Sequence, residues 1–149
     1  ALEAALVDAM GRQTAVLLQM WEIVVQQREA LKSGRLPVLQ DLMRSLQGIS
    51  AQARTEAASR DREARRLAAA LGCDPRVSAL AEALGDEGGA RLRGAAEALT
   101  QAVKQLRAET QLLSRLVEES LALQQLLLAE YRRLEGSMTG TLPNMDFRG

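Results

Sequence analysis

The sequence predicts an all-α fold, an elongated antiparallel helical bundle: a coiled-coil-like rod of three long helices plus one short connecting helix. Three observations predict it. Alanine and leucine, both strong helix formers, supply 25 and 26 of the 149 residues. Strand-favouring residues are scarce, and the aromatic residues are only Trp21, Tyr131 and Phe147. Near the C-terminal end, steps of four and three land on Leu92, Ala96, Leu99, Val103, Leu106, Thr110, Leu113, Val117, Ser120, Gln124, Leu127, Tyr131 and Leu134. That spacing describes one amphipathic helix with a coiled-coil stripe, and at ~1.5 Å per residue it is on the order of 65 Å long.

The first helix is expected from about Leu2 to Lys32, with Leu6, Met10, Leu17, Met20, Trp21, Val24 and Leu31 close to a 3.5-residue repeat. Leu18, Ile23 and Val25 widen its stripe, so it meets neighbours on more than one side. Ser33-Gly34 is the stop, because glycine takes the left-handed conformation that ends helices. Pro37 suits the first turn of a second helix, where its missing N–H would have no partner. That helix reads Leu36, Leu39, Met43, Leu46, Ser50, Ala53, Ala57, Arg60, Ala64, Leu67 and Leu71 along its seam and ends at Gly72. The short Gly34-Arg35 link makes helices one and two an antiparallel hairpin. Between about residues 50 and 66 the seam is small, so that stretch either packs closely or stands partly in solvent.

Asp74-Pro75 is a cap and first-turn pair for the short helix, from Pro75 to Leu84, which Gly85, Gly88 and Gly89 interrupt. The long third helix then runs to about Glu135, with Gly136 as its stop. The domain reading is therefore a helical body over residues 1–135 and a flexible C-terminal tail over 136–149. The tail is rich in Gly, Ser, Thr, Pro and Asn but carries Met138, Leu142, Met145 and Phe147. Such a tail either folds back on its own bundle or docks on a partner.

Composition excludes several functions. The chain has no histidine, which removes the usual general base, transition-metal ligand and triad imidazole. Cys73 is the single cysteine, so there is no intramolecular disulfide and no structural zinc site. The glycines form no phosphate-binding loop, since no Lys-Ser or Lys-Thr follows them. An enzyme, a bound metal and a cofactor are accordingly not expected. Formal charge is zero, and the stripe Arg54, Arg60, Arg62, Arg65, Arg66 is interrupted by Glu56, Asp61 and Glu63, which reads as a solvated face and not a nucleic-acid surface. No apolar run approaches about 18 residues, so no membrane insertion is expected. The N-terminus, where Ala and Leu alternate with acidic residues, does not read as a signal peptide.

What remains is apolar surface. Leu112, Leu116, Leu121, Leu123, Leu126 and Leu128 lie off the counted seam and, with Leu113, Val117 and Leu127, nearly encircle the helix. A helix apolar on so many sides is buried or accepts a partner. The candidate contact residues are Leu116, Leu123, Leu126, Leu127 and Tyr131, with Met145 and Phe147 of the tail as a clamp or an address. Two uses of this face stay open: binding an amphipathic helix of another protein, or self-association as a structural coiled coil or adaptor, down to a weak homo-oligomer.

The layout resembles a known family. A first helix ending in Gln27-Arg28-Glu29-Ala30-Leu31, a tight Gly34-Arg35-Leu36 turn, a Leu71-Gly72 break, a short connecting helix and a long last helix are similar to the FlgN family of flagellar type III export chaperones. The family's turn carries an acidic residue where Arg35 stands, and its Tyr-containing ending on glycine resembles Met145-Asp146-Phe147-Arg148-Gly149. The resemblance implies a cytoplasmic chaperone without a cofactor. It would bind the terminal amphipathic helix of flagellar hook-filament junction proteins and deliver them to the flagellar export gate.

Overall fold

A computed structural model describes the backbone of residues 1–141 and the side chains of residues 1–137. The described residues form three helical elements, α1 (Leu2–Lys32), α2 (Leu36–Leu71) and α3 (Val77–Thr141). The count is three and not three plus one. The expected short helix is the beginning of α3, set off by a break at Gly85 (φ 83°, ψ −168°). Gly85 takes a conformation that L-residues rarely adopt, which is why the chain bends there. Asp74-Pro75 does not open the helix. It begins two residues later, at Val77, and the Asp74 carboxylate lies 3.6 Å from Arg76.

The turn between α1 and α2 follows from Gly34. At φ +69° it lets the Arg35 N–H donate to the Ala30 carbonyl (2.9 Å) and its own N–H donate to the Leu31 carbonyl (3.2 Å). These two bonds close the end of α1 as a Schellman motif. Pro37 sits in the first turn of α2 as expected, and Gly72 (φ +70°) ends that helix by donating to Ala68 at 2.8 Å. Gly136 does not end α3, which runs on to Thr141. A lone glycine inside a helix costs only about 1 kcal/mol, so it stops a helix only where the chain also has reason to turn.

The chain divides into two compact units, residues 1–113 and 114–149. In the first, α1 and α2 run antiparallel, with the Arg12 guanidinium donating to Glu56 (3.0 Å) and Ser59 (3.3 Å). α3 runs parallel to α1, since Glu3 meets Arg91 and Arg28 meets Glu109. α1 is the central helix: Leu6, Ala9, Met10, Gln13, Val16, Val24, Gln27 and Ala30 are buried. Leu17, Met20, Trp21 and Leu31 of the expected stripe are only half-buried. The core joins Leu6 and Met10 of α1, Leu67 and Ala68 of α2, and Leu80, Ala81, Leu92 and Leu99 of α3. Elsewhere α2 is half-buried at most, so the small-residue stretch from Ser50 to Arg66 stands partly in solvent.

Half of the α3 seam is displaced from the stepped pattern. Leu92, Leu99, Leu106 and Leu113 face inward as counted, and Ala95 and Ala96 both pack against the core, but beyond them the alternate row follows Ala102, Glu109 and Leu116, one residue before Val103, Thr110 and Val117. Ala102 and Glu109 are buried, whereas Thr110 is exposed and returns its hydroxyl to the Leu106 carbonyl at 2.9 Å. An inward glutamate is hidden from hydrophobic counting; its partner, Arg28, lies on another helix.

Candidate functional site

The second unit carries the candidate site. Within α3, Leu121, Leu123, Leu126, Leu127, Leu128, Tyr131 and Leu134 are all more than half exposed. Of the residues singled out from sequence, Leu123, Leu126, Leu127 and Tyr131 lie in this run, at 57%, 68%, 62% and 69% exposure. Leu116 is half-buried. Met145 and Phe147 lie outside the described residues.

Helical geometry sorts these side chains. At about 100° per residue, Leu116, Ser120, Leu123, Leu127, Glu130 and Leu134 fall in one narrow stripe, which continues the heptad phase of Leu92, Leu99, Leu106 and Leu113. Glu119, Leu126 and Arg133 flank it on one side, and Val117, Gln124 and Tyr131 on the other. Leu121 and Leu128 extend the apolar surface beyond the second flank, and Glu118, Gln125 and Arg132 mark the opposite, polar side. The strip is wide but does not encircle the helix. A shallow apolar concavity lies on it, lined by Gln124, Leu127, Leu128 and Tyr131. Arg133 pairs with Glu130 one turn earlier along the same helix.

Two ion pairs in the first unit link α1 to α3. Glu3 accepts two hydrogen bonds from Arg91, at 2.7 and 3.2 Å, and these hold its carboxyl below the usual value of 4.5 and raise the Arg91 guanidinium. Arg28 donates to Glu109 at 2.5 Å, and that hydrogen bond raises the arginine further above its ordinary range. Sequence reading missed this pair and the buried Gln13 and Gln27. The one available signal was spacing: Gln13, Gln27 and Glu109 fall on the heptad rows of their helices.

Among the described residues no group of three or more His, Cys, Asp or Glu could hold a metal ion, and no helix is long and apolar enough to cross a membrane. An exposed leucine strip on a helical scaffold is the kind of surface that helix-binding chaperones and adaptors present. Within that class the chain belongs to the FlgN family, whose model (FlgN protein) matches residues 2–141. The family is one of flagellar export chaperones. No curated protein and no solved structure matches the chain.

Proposed function

We propose that this protein is a cytoplasmic chaperone that takes an amphipathic terminal helix of a flagellar hook-filament junction protein onto the strip between Leu116 and Tyr131. It keeps that segment from aggregating and hands it to the export gate. The supporting observation is the exposure of Leu123, Leu126, Leu127 and Tyr131 on one continuous helical surface in a FlgN-family chain. An amphipathic helix laid along this strip inserts side chains at i, i+3, i+4 and i+7 between these leucines. Met145 and Phe147 would add a clamp or address the gate. No step needs a cofactor, because capture and release of a helix involve no covalent chemistry.

The double substitution Leu123→Asp with Leu127→Asp tests the site. Each leucine has more than half of its surface left to bury, roughly 1–2 kcal/mol on binding, and each aspartate adds a desolvation penalty. Affinity for the cargo helix is expected to fall by at least about 100-fold. Circular dichroism should show retained helix, since both positions are exposed. A double variant that still pulls down its cargo would exclude this strip.

A further inference from the structure

The charge pattern beside the apolar stripe is not that of a face built only for a foreign helix. We propose that a second copy of this chain covers the strip between Leu116 and Leu134 when no cargo is bound, pairing antiparallel about a two-fold axis near Gln125. The inward positions are spaced 4, 3, 4, 3, 4 and are symmetric about that point. Antiparallel pairing therefore sets Leu116 against Leu134 of the other copy, Leu123 against Leu127, and Ser120 against Glu130. Each apolar inward residue meets an apolar one, and the polar layer places a hydroxyl donor opposite a carboxylate acceptor.

The flanks agree. In antiparallel coils the flanking positions on one side face their own kind across the interface. One flank then places Glu119 opposite Arg133, twice by symmetry, with Leu126 meeting Leu126 between them. The other places Val117 opposite Tyr131 and Gln124 opposite Gln124. Arg133 already holds Glu130 on its own helix, and its five N–H groups leave donors for Glu119.

Competing arrangements fail on the same residues. In-register parallel pairing would set Glu130 against Glu130 in the interface and give Glu119 no cationic partner. Sliding the antiparallel pair by one heptad toward the C-terminal side brings Glu130 against Leu127 and separates Glu119 from Arg133. Glu130 thus acts as a register device, the use best attested for polar residues at inward positions. The leucines at 57–62% exposure would be covered in the resting state, which limits aggregation by the chaperone itself.

The pairing stands on the strip alone; that cargo displaces the second copy rests on the function proposed above. Sedimentation velocity of the full chain should show a reversible monomer–dimer equilibrium. Glu119→Arg should weaken it about tenfold, because two attractive contacts become repulsive. Glu119→Arg combined with Arg133→Glu should restore it, which loss of fold would not do. In a Cys73→Ser background, Leu126→Cys should form a disulfide-linked dimer, since that position meets itself at the axis. A chain that stays monomeric up to millimolar concentration, or a dimer indifferent to Glu119→Arg, overturns the pairing. A synthetic peptide of the junction protein's terminal helix should convert dimers into one-to-one complexes, and dimers that persist with peptide bound refute the competition. A peptide that does not bind, alongside an intact dimer, refutes the cargo reading and leaves the pairing standing.

Discussion

Replacing Gly89 with alanine should destabilise the first unit, although alanine is the better helix former. A Cβ at Gly89 would lie 2.4 Å from the Ala81 carbonyl oxygen and 3.2 Å from its carbon. Ordinary contact begins at 3.4 Å, so the methyl group is a full ångström too close to backbone that cannot rotate away. Ala81 and its neighbour Leu80 are buried in the core against Leu92, so the turn before Gly85 cannot yield without loosening that packing. Overpacking of this kind costs roughly 1–3 kcal/mol, and the helix-propensity gain of about 1 kcal/mol offsets only part of it. Gly94 is the control, because nothing lies within 4 Å of a Cβ there. Gly94→Ala should stabilise by about 0.5–1 kcal/mol. Urea titrations followed by circular dichroism at 222 nm measure both. With a slope of about 2 kcal/mol/M, a net loss of up to about 2 kcal/mol lowers the Gly89→Ala midpoint by up to roughly 1 M. If Gly89→Ala is as stable as Gly94→Ala, the argument that glycine is required by the close approach of Ala81 is wrong.

Two further predictions concern the first unit. The Gln13 Oε1 atom is buried without a hydrogen-bond partner, so Gln13→Met, similar in volume and without a polar group, should stabilise by about 1 kcal/mol in the same titration. The Glu3 carboxyl has a lower value in the folded chain than in the unfolded one, so on acidification the unfolded chain binds this proton first. Its contribution to stability is complete above about 4.5 and disappears as pH falls through the lower folded value. Glu3→Gln should therefore lower the melting temperature at neutral pH, and the difference from wild type should shrink toward pH 2. A constant difference across that range would refute the assignment.

Local chemistry carried much of the architecture. Gly34 and Gly72 end their helices because only glycine enters the left-handed region without strain, and Pro37 marks a first turn because it lacks an N–H. Gly136 has the same residue type and no such effect, because whether a glycine ends a helix depends on whether the chain turns to pack. Gln13, Gln27 and Glu109 could not be placed inside from composition. A polar group is buried only where its neighbours make burial tolerable, and for Glu109 that neighbour is an arginine 81 positions away in the chain. The one-residue shift of alternate α3 seam positions to Ala102 and Glu109 has the same origin.

The leucine strip shows the division most clearly. Its spacing, its width, Glu130 within it and Glu119 and Arg133 on its flank are properties of the residues and the 3.6-residue turn, and all are legible in one dimension. Whether such a strip is sealed or open is not, because an apolar face reads identically in either state. Only the packing of the chain decided that Leu92 and Leu99 are core while Leu127, on the same heptad row, and Leu123 beside it are exposed in the single chain. Burial depends on what else occupies the space around a helix, and that is a property of the tertiary arrangement.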